Sequence, residues 1–474
     1  MSFQVHVAGS SDLVVQVYRQ VREAILDGRL RPGERLPPTR ELARSAAVSR
    51  NTVSTAYERL LAEGFITARV GSGTFVDGAA AAGRPAGAAP GGSLRPRRVW
   101  QDLPGPGPKR PVPRYDLRAG VPDAALFPLP AWRRLVTREL RTSTMTAGSY
   151  ADPAGHPALR AAVARWLGIS RSVRTGAGDV LITNGAQQAL DIIGRVLVEP
   201  GDVVAVEEPG YPPARHLFRS QGATVVGVPV DAEGLVVDAL PPAARIVYTT
   251  PSHQFPMGVP MSPARRGELL SWAERHDSAI VEDDYDSEFR FEKRPLEPLQ
   301  SLDAGGRVIY VGSFSKTMLP ALRLGFLVTP ATLRPAMLLA RQVSDWHGDA
   351  CTEAALAAFI EEGLFARHLR AASRVYAERR TLLLGALDRE LARWLAPVSS
   401  AAGLHLSAHL RPDIGVDAAT VVARAERAGI AVTGLAAFCL APPERDGLVI
   451  GYGCIPTDQL PAALRLLARC FRPG

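Results

Sequence analysis

Residues 308–328 read VIYVGSFSKTMLPALRLGFLV. A hydrophobic run passes into Ser313, Ser315 and Lys316, and Arg323 stands seven residues beyond the lysine. Branched and aromatic residues at 308–311 predict a buried strand. A lysine just past such a strand lies where open α/β sheets bind ligands, at their carboxyl edge. Alone the stretch carries little weight, because most lysines are solvated surface groups.

Upstream of it, strands and helices alternate. DVLIT precedes Asn184, Gly185 and the helix AQQALDIIGRVLV. Pro200, Gly201 and Asp202 turn the chain into the strand VVAVEE, and RIVYTT reads as the next strand. The helix RRGELLSWAERH leads to the strand AIVE and then to RVIYVG. This rhythm predicts an α/β fold, a mostly parallel sheet with helices on both faces. Residues from 365 to 474 mix long helices with the strands GLHLSAHL and GLVIGY, and read as a small C-terminal α/β subdomain.

The frame collects chemistry. Asp283 and Tyr285 follow AIVE, and Tyr211 follows VVAVEEPG. Gly185, Ala186 and Gln187 open a helix after VLITN, so their amides face an anion. An aldehyde cofactor on a phosphorylated pyridine ring needs such a set. It takes a lysine for the imine, a carboxylate at the ring nitrogen, an aromatic over the ring, and hydroxyls, amides and an arginine around the phosphate. Taken singly, EDDYD reads as an acidic loop or a metal ligand set, and Tyr211 as a packed turn residue. Their order along one βα frame is what points to the cofactor.

The N-terminal quarter is different. SDLVVQVYRQVREAILDGRL places Leu13, Val14, Val17, Val21 and Ile25 on one helical face, with Gly28 at the stop. Thr39 is read as the cap of a short second helix with Leu42 and Ala43 inward. Ser49 caps a third, with Val53, Ala56, Tyr57 and Leu60 as its stripe and Gly64 at its end. FITARVGSGTFV then reads as a hairpin around Gly71 and Gly73. Three helices and a hairpin make a winged helix-turn-helix, whose third helix offers its first turn to the major groove. Ser49, Arg50, Asn51 and Thr52 stand there, and Arg and Asn pair with guanine and adenine edges. Arg40, and Arg69 with Gly71 and Gly73 of the wing, are placed to follow the backbone or minor groove of double-stranded DNA.

Charge agrees with this division. The 474 residues carry a net charge of +8. Residues 1–76 hold ten arginines against seven acidic residues, and residues 78–115 hold seven basic residues against one acidic. A basic end on a near-neutral body fits a polyanion partner. DGAAAAGRPAGAAPGGSLRPRR (77–98) has no apolar period, so it reads as a linker that continues to about Tyr115. The expected organisation is a DNA-binding domain over 10–76, a basic Ala/Gly/Pro-rich linker over 77–115 and a larger domain over 116–474. Hydrophobic residues at 46% and charged residues at 22% suit a large soluble core. No apolar run reaches the roughly 18 residues of a membrane span. The N-terminal stretch lacks a signal-peptide core. Four cysteines without metal spacing point to a reducing cytoplasm and to no metal site.

GRLRPGERLPPTRELARSAAVSRNTVSTAYERLLAEGFITARVGSGTFV closely resembles the GntR-type winged-helix domain of bacterial repressors, with Ala46 and Ala47 where that family has Leu-Gly. Ala47 replaces a turn glycine, so a strained or altered turn is expected there. SYADPAGHPALRAAVARWL, TNGAQQALDII, EEPGYPPAR, TTPSHQFPMG, EDDYDSEFR and GSFSKTMLPALRLGFLV, in that order, resemble fold-type I aminotransferases. The pair is identified as a member of the MocR subfamily of transcriptional regulators, the group that includes GabR and PdxR. The resemblance implies a cytoplasmic, homodimeric protein, nucleoid-associated when bound to its operator. It implies that Lys316 forms the Schiff base with pyridoxal 5'-phosphate and that Asp283 pairs with the pyridine nitrogen. Tyr285 then bonds the phenolic oxygen and Tyr211 stacks on the ring. Ser313, Ser315 and Arg323 lie at the phosphate, and Tyr150 reaches the phosphate of a partner subunit. His253 is a family landmark without an assigned role.

Two departures bear on activity. The aminotransferase strand that carries a substrate-binding arginine, reading like LRLGF, is LVIGY here, with Val449 at the arginine position. GabR, the GABA-responsive member, has an arginine two residues after the stacking tyrosine; here Pro213 stands there, and Arg215 is the nearest arginine. A guanidinium–carboxylate fork has no hydrophobic substitute. Ordinary amino-acid transamination and a GABA effector are therefore not expected. The favoured expectation is a regulator that senses pyridoxal phosphate or an amine and controls vitamin B6 metabolism. The alternatives are an aminotransferase with an accessory DNA-binding arm, or a regulator of amino-acid or amine metabolism.

Overall fold

The computed structural model describes residues 5–7, 12–78, 93–105, 107, 112–141, 148–291, 297–412 and 414–472. The chain forms two compact units that divide between Pro96 and Arg97. Of the stretch read as linker, residues 79–92, 106 and 108–111 lie outside the described residues.

In the first unit, α1 (Leu13–Leu26), α2 (Thr39–Ser45) and α3 (Arg50–Ala62) precede the strands β1 (Ile66–Arg69) and β2 (Gly73–Val76). Val17, Val21, Ile25, Leu42, Val53, Ala56 and Leu60 close its core, joined by Tyr18 and Ala24. Leu13 and Val14, read as part of the stripe, are only half-buried at the start of α1. Ser49 does cap α3, its Oγ accepting from the Thr52 amide at 3.1 Å. Thr39 does not cap α2. It is the first helical residue, Pro38 precedes it in extended geometry, and no side chain closes that end. Pro38 takes the cap position itself, its carbonyl accepting from the Leu42 amide at 3.1 Å, so Thr39 is already helical. Ala47 has φ of +54° and keeps the left-handed turn that glycine usually supplies. A Cβ in that geometry costs about 1 kcal/mol. The wing is antiparallel, with Ile66 opposite Val76 and Arg69 opposite Gly73.

The second unit begins before the expected boundary. Arg97 Nη2 donates to the Ser220 carbonyl at 3.2 Å, and a short helix follows at Val99–Asp102. Residues read as the end of the linker therefore belong to this body. β3 (Tyr115–Asp116) pairs in parallel with β14 (Ile430–Ala431), so the small subdomain is not confined to the C-terminal stretch.

The main sheet holds β4 (Val180–Thr183), β5 (Val203–Glu208), β6 (Thr224–Asp231), β7 (Gly234–Leu235), β8 (Ala244–Thr249), β9 (Ala279–Asp284), β10 (Val308–Ser313) and β11 (Gly325–Val328). Its order is β4-β11-β10-β9-β8-β5-β6-β7. The run from β10 to β6 is parallel, while β11 is antiparallel to both β10 and β4. Alternate residues serve opposite faces. Val204, Val206 and Ile246 pack with Ile192 and Phe218, while Ala205, Val247 and Ile280 pack with Leu269 and Trp272. Sequence patterning did not single out β6 or β11. Gly227 and Pro229 interrupt the first, and the second is four residues long.

The small subdomain is a sheet of β12 (Leu395–Pro397), β13 (His405–Leu410), β15 (Thr433–Gly434) and β16 (Gly447–Gly451) in the order β12-β13-β16-β15. Helices Leu364–Arg389, Ala418–Arg427 and Leu460–Arg469 pack against it around Leu383, Val421, Ile450 and Leu464. Among the described residues no helix is long and apolar enough to cross a membrane.

Candidate cofactor site and nucleic-acid interface

The carboxyl ends of β5, β8, β9 and β10 point to one edge of the sheet. Because β11 runs the other way, its entry lies at that same edge, which brings Arg323 beside the exit of β4. A cavity of about 180 Å³ opens there, lined by Ala186, Gln187, Tyr211, Asp283, Tyr285, Ser313, Ser315, Lys316 and Arg323. Sequence reading missed Gly120, Tyr248, Thr250 and Phe255, which complete the wall. The last two sit within or beside the TTPSHQFPMG segment, which is the signal that was there to follow.

Lys316 Nζ donates to the Gly120 carbonyl at 2.6 Å. Burial lowers its pKa, and the carboxylates of Asp286 and Asp283 partly offset that. Lowering an amine's pKa enlarges its neutral, nucleophilic fraction. Asp283 accepts from Tyr248 OH through Oδ2 at 2.7 Å, while its buried Oδ1 has no partner. A protonated pyridine nitrogen is the donor that this orphaned oxygen lacks. At the other end, Gly185 has φ of +80°. A Cβ there would come within 3.1 Å of the Arg323 guanidinium, and one on Gly325 within 2.8 Å of the Gly185 backbone. Arg323 Nη2 donates to the Asn184 carbonyl at 2.6 Å. Ser313 and Ser315 bond each other at 2.9 Å. The free first amides of the helix Ala186–Leu197 complete an anion cradle. Tyr211 begins the helix Pro212–Ser220 and meets Phe255 edge-on at 5.8 Å. The site thus fits pyridoxal 5'-phosphate. Tyr150 is not brought to it; it is exposed and stacks on Trp346 with centroids 4.6 Å apart.

Burial pushes the Asp283 carboxyl up to about 7 from its ordinary 3.8, against the Tyr248 hydrogen bond. A raised folded value means that its contribution to stability is complete below its ordinary value and is lost as pH rises toward about 7. Cofactor-free protein is therefore expected to lose stability across that window, with Asp283→Asn flattening the loss. Urea midpoints of the two proteins at several pH values check this. Glu282 and Glu288 are also raised, to about 7 and about 8, so the comparison with the variant isolates Asp283.

His253 gains partners that the sequence could not assign. Its Nδ1 lies 2.9 Å from Asp286 Oδ1 and 2.9 Å from Tyr285 OH, and its Nε2 lies 3.0 Å from Ser400 Oγ. Val449 on β16 is fully buried beside Met257 and Leu435. Arg215 is buried too, and its Nη1 donates to the Phe438 carbonyl at 3.2 Å and to Glu208 Oε2 at 3.4 Å.

In the first unit, Arg50 and Asn51 are exposed on the first turn of α3, while the hydroxyls of Ser49 and Thr52 bond each other at 2.8 Å. Arg40 is exposed at the start of α2. Arg69 lies over the Phe75 ring at 5.0 Å, Gly71 has φ of +77° and Gly73 of +112°. The Arg35 side chain closes on Gly73, where a Cβ would stand 2.8 Å from its Nε. Sequence reading did not single out Arg35, because only the folded wing brings it there.

A winged helix-turn-helix and an aminotransferase body with a lysine-centred cavity define the class, a DNA-binding regulator built on an enzyme fold. The chain matches the gntR family of bacterial regulatory proteins over residues 13–76 and the aminotransferase class I and II family over residues 115–448. It is similar to the probable rhizopine catabolism regulatory protein MocR of Rhizobium meliloti, at 39% identity over 463 residues, covering 96% of this chain and 93% of that protein. It is similar to the pyridoxine biosynthesis transcriptional regulator PdxR of Corynebacterium glutamicum at 31% identity, covering 95% and 94% of the two. Among solved structures it resembles LysN, an α-aminoadipate aminotransferase of Thermus thermophilus complexed with N-(5'-phosphopyridoxyl)-L-leucine. That likeness has a TM-score of 0.69 and 31% identity, over 75% of this chain and 91% of that one. The chain belongs to the MocR subfamily of GntR-type transcriptional regulators.

Proposed function

We propose that this protein is a cofactor-sensing regulator with little or no enzymatic turnover. Its aminotransferase body holds pyridoxal 5'-phosphate through Lys316, Asp283 and Tyr211, with Ser313, Ser315 and Arg323 at the phosphate. The cofactor supplies an electron-withdrawing ring and an exchangeable imine carbon. The chain's own residues bind it and exclude water, with Asp283 offering its unpaired oxygen as acceptor to the ring nitrogen's proton and Tyr285 its hydroxyl to the phenolic oxygen.

The observation that supports sensing over turnover is a missing cation. Val449 is packed in an apolar cluster, and Arg215 is turned to Glu208 and a backbone carbonyl. Among the described residues lining the cavity, Arg323 is the one guanidinium, and it serves the phosphate end. An α-carboxylate would enter without the bidentate partner that makes its burial favourable.

The first effector in this reading is the cofactor itself, with vitamin B6 metabolism as the regulated process. Similarity to the pyridoxine biosynthesis regulator supports it. A second reading is an amine without a carboxylate that takes the place of the Lys316 amine, in keeping with a cavity whose one guanidinium among the described lining residues serves the phosphate end. In both, two copies form a homodimer, exposed Tyr150 serves the partner's phosphate, and two winged helices bind paired half-sites at a high effective concentration. Footprinting on the protein's own upstream DNA tests this. Protection that changes with pyridoxal phosphate alone supports the first reading, and a change that also needs an amine supports the second. No protection under either condition, together with amino-acid turnover, would return the protein to the enzymes.

A further inference from the structure

His253 has no task in that reading, yet its ring is fully engaged. It is 2% exposed. Ser400 Oγ donates to the Ala402 carbonyl at 3.2 Å and lies 3.0 Å from His253 Nε2, so it braces the ring from its far side. Both Asp286 oxygens face Nδ1, at 2.9 and 3.2 Å. A carboxylate against a bare ring nitrogen would set lone pair against lone pair, so Nδ1 carries a hydrogen. Tyr285 OH, 2.9 Å from the same Nδ1, then has no acceptor there. Its oxygen accepts, and its own hydrogen turns into the cavity that Tyr285 lines.

The surroundings are shaped for this ring. A Cβ on Gly403 would stand 2.0 Å from His253 Cε1, and one on Gly258 3.1 Å from Nε2. His405 lies tilted against the ring with centroids 5.1 Å apart, and burial lowers the His405 pKa to about 4. His253, Asp286 and His405 offer ligand atoms within 4.8 Å of one another, but Nδ1 and Oδ1 already meet in a direct hydrogen bond. The charges bearing on Tyr285 are Asp286, Asp283, Glu207 and Asp284, with the Lys316 amine also acting on this cluster.

We propose that His253, paired with Asp286 and braced by Ser400, is a positioning residue that aims the Tyr285 hydroxyl hydrogen at the phenolic oxygen of the bound cofactor. It thereby sets the pH at which the lysine-linked cofactor takes up or releases its imine proton. The inference rests on the cofactor reading above. A hydrogen bond donated to a phenolate favours the charged oxygen and lowers that pH.

The test is a pH titration of the visible band of the full-length, cofactor-loaded protein. His253→Phe and Tyr285→Phe are each expected to raise the midpoint by about one pH unit. The double variant should go no higher than Tyr285→Phe alone, and His253→Gln, which keeps an N–H donor, should recover part of the shift. An unchanged midpoint in His253→Phe overturns the proposal. So does a His253 effect that persists in full on top of Tyr285→Phe, since that is the signature of a lost charge rather than a lost aim. If His253→Phe does not fold, Ser400→Ala carries the same test with a smaller upward shift expected and no shift overturning it. A parent protein with no visible band at all would remove the cofactor reading instead.

Discussion

Lys316→Ala is expected to abolish the visible band of the cofactor-loaded protein, near roughly 410–430 nm, and to weaken cofactor retention by about a hundredfold or more. The amine is the one group in the cavity able to hold the aldehyde covalently, and its Nζ is held in place by the Gly120 carbonyl. What remains in the variant is the phosphate cradle and the Asp283 contact, which bind reversibly. Truncation should not unfold the body, because burial already disfavours the charged lysine. DNA binding should persist in the variant while its response to cofactor disappears. Absorbance after dialysis, read beside a footprint with and without cofactor, checks both halves. A band of parental strength in the variant would end the assignment of Lys316.

Arg50→Ala and Asn51→Ala are expected each to weaken operator binding by about 10- to 100-fold, corresponding to about 1–3 kcal/mol per bidentate base contact. Both side chains are exposed on the first turn of α3 and neither belongs to the unit's core. The thermal midpoint should therefore stay where it is. Ser49→Ala is the contrasting variant. It removes the acceptor of the Thr52 amide and should cost about 1 kcal/mol of stability as well as affinity. Titration of labelled operator and of unrelated DNA at one salt concentration separates the outcomes. Equal losses on both DNAs would make the two residues phosphate contacts rather than base readers.

The winged unit was legible nearly residue by residue, because each signal acts within one or two turns of chain. Ser49 capped its helix, and the stripe Val53, Ala56, Tyr57 and Leu60 went inward. Thr39 failed as a cap because Pro38 takes that position, a one-residue shift that residue preference alone does not decide. Ala47 shows the converse, an exposed residue that keeps a left-handed turn despite its Cβ, with the Val48 amide bonding the Ala43 carbonyl across it at 3.0 Å. In the body, strands whose interiors are unbroken runs of branched residues were read correctly. β6 and β11 were not singled out, since one is interrupted by glycine and proline and the other starts at a glycine just after the turn at Pro320–Leu322. Arg97 and Tyr115, both read as linker, bond to distant parts of the body, Arg97 to the Ser220 carbonyl and Tyr115 to strand β14.

What the amino-acid order determined by itself was the chemistry: a lysine, a carboxylate and an aromatic at successive strand ends, behind a basic helical reader. Those features are local, and the right-handed βα frame carries them to one edge. What only the tertiary structure decided was the pairing. The antiparallel β11 delivers Arg323 to Gly185, Asp283 is left with one oxygen lacking a donor, and Arg215 is spent on Glu208 and Phe438. It also set His253 between Asp286, Tyr285 and Ser400, the last lying 147 residues away in sequence. Hydrogen-bond partners at that separation depend on how two subdomains close over a cavity, and no local pattern in the chain encodes them.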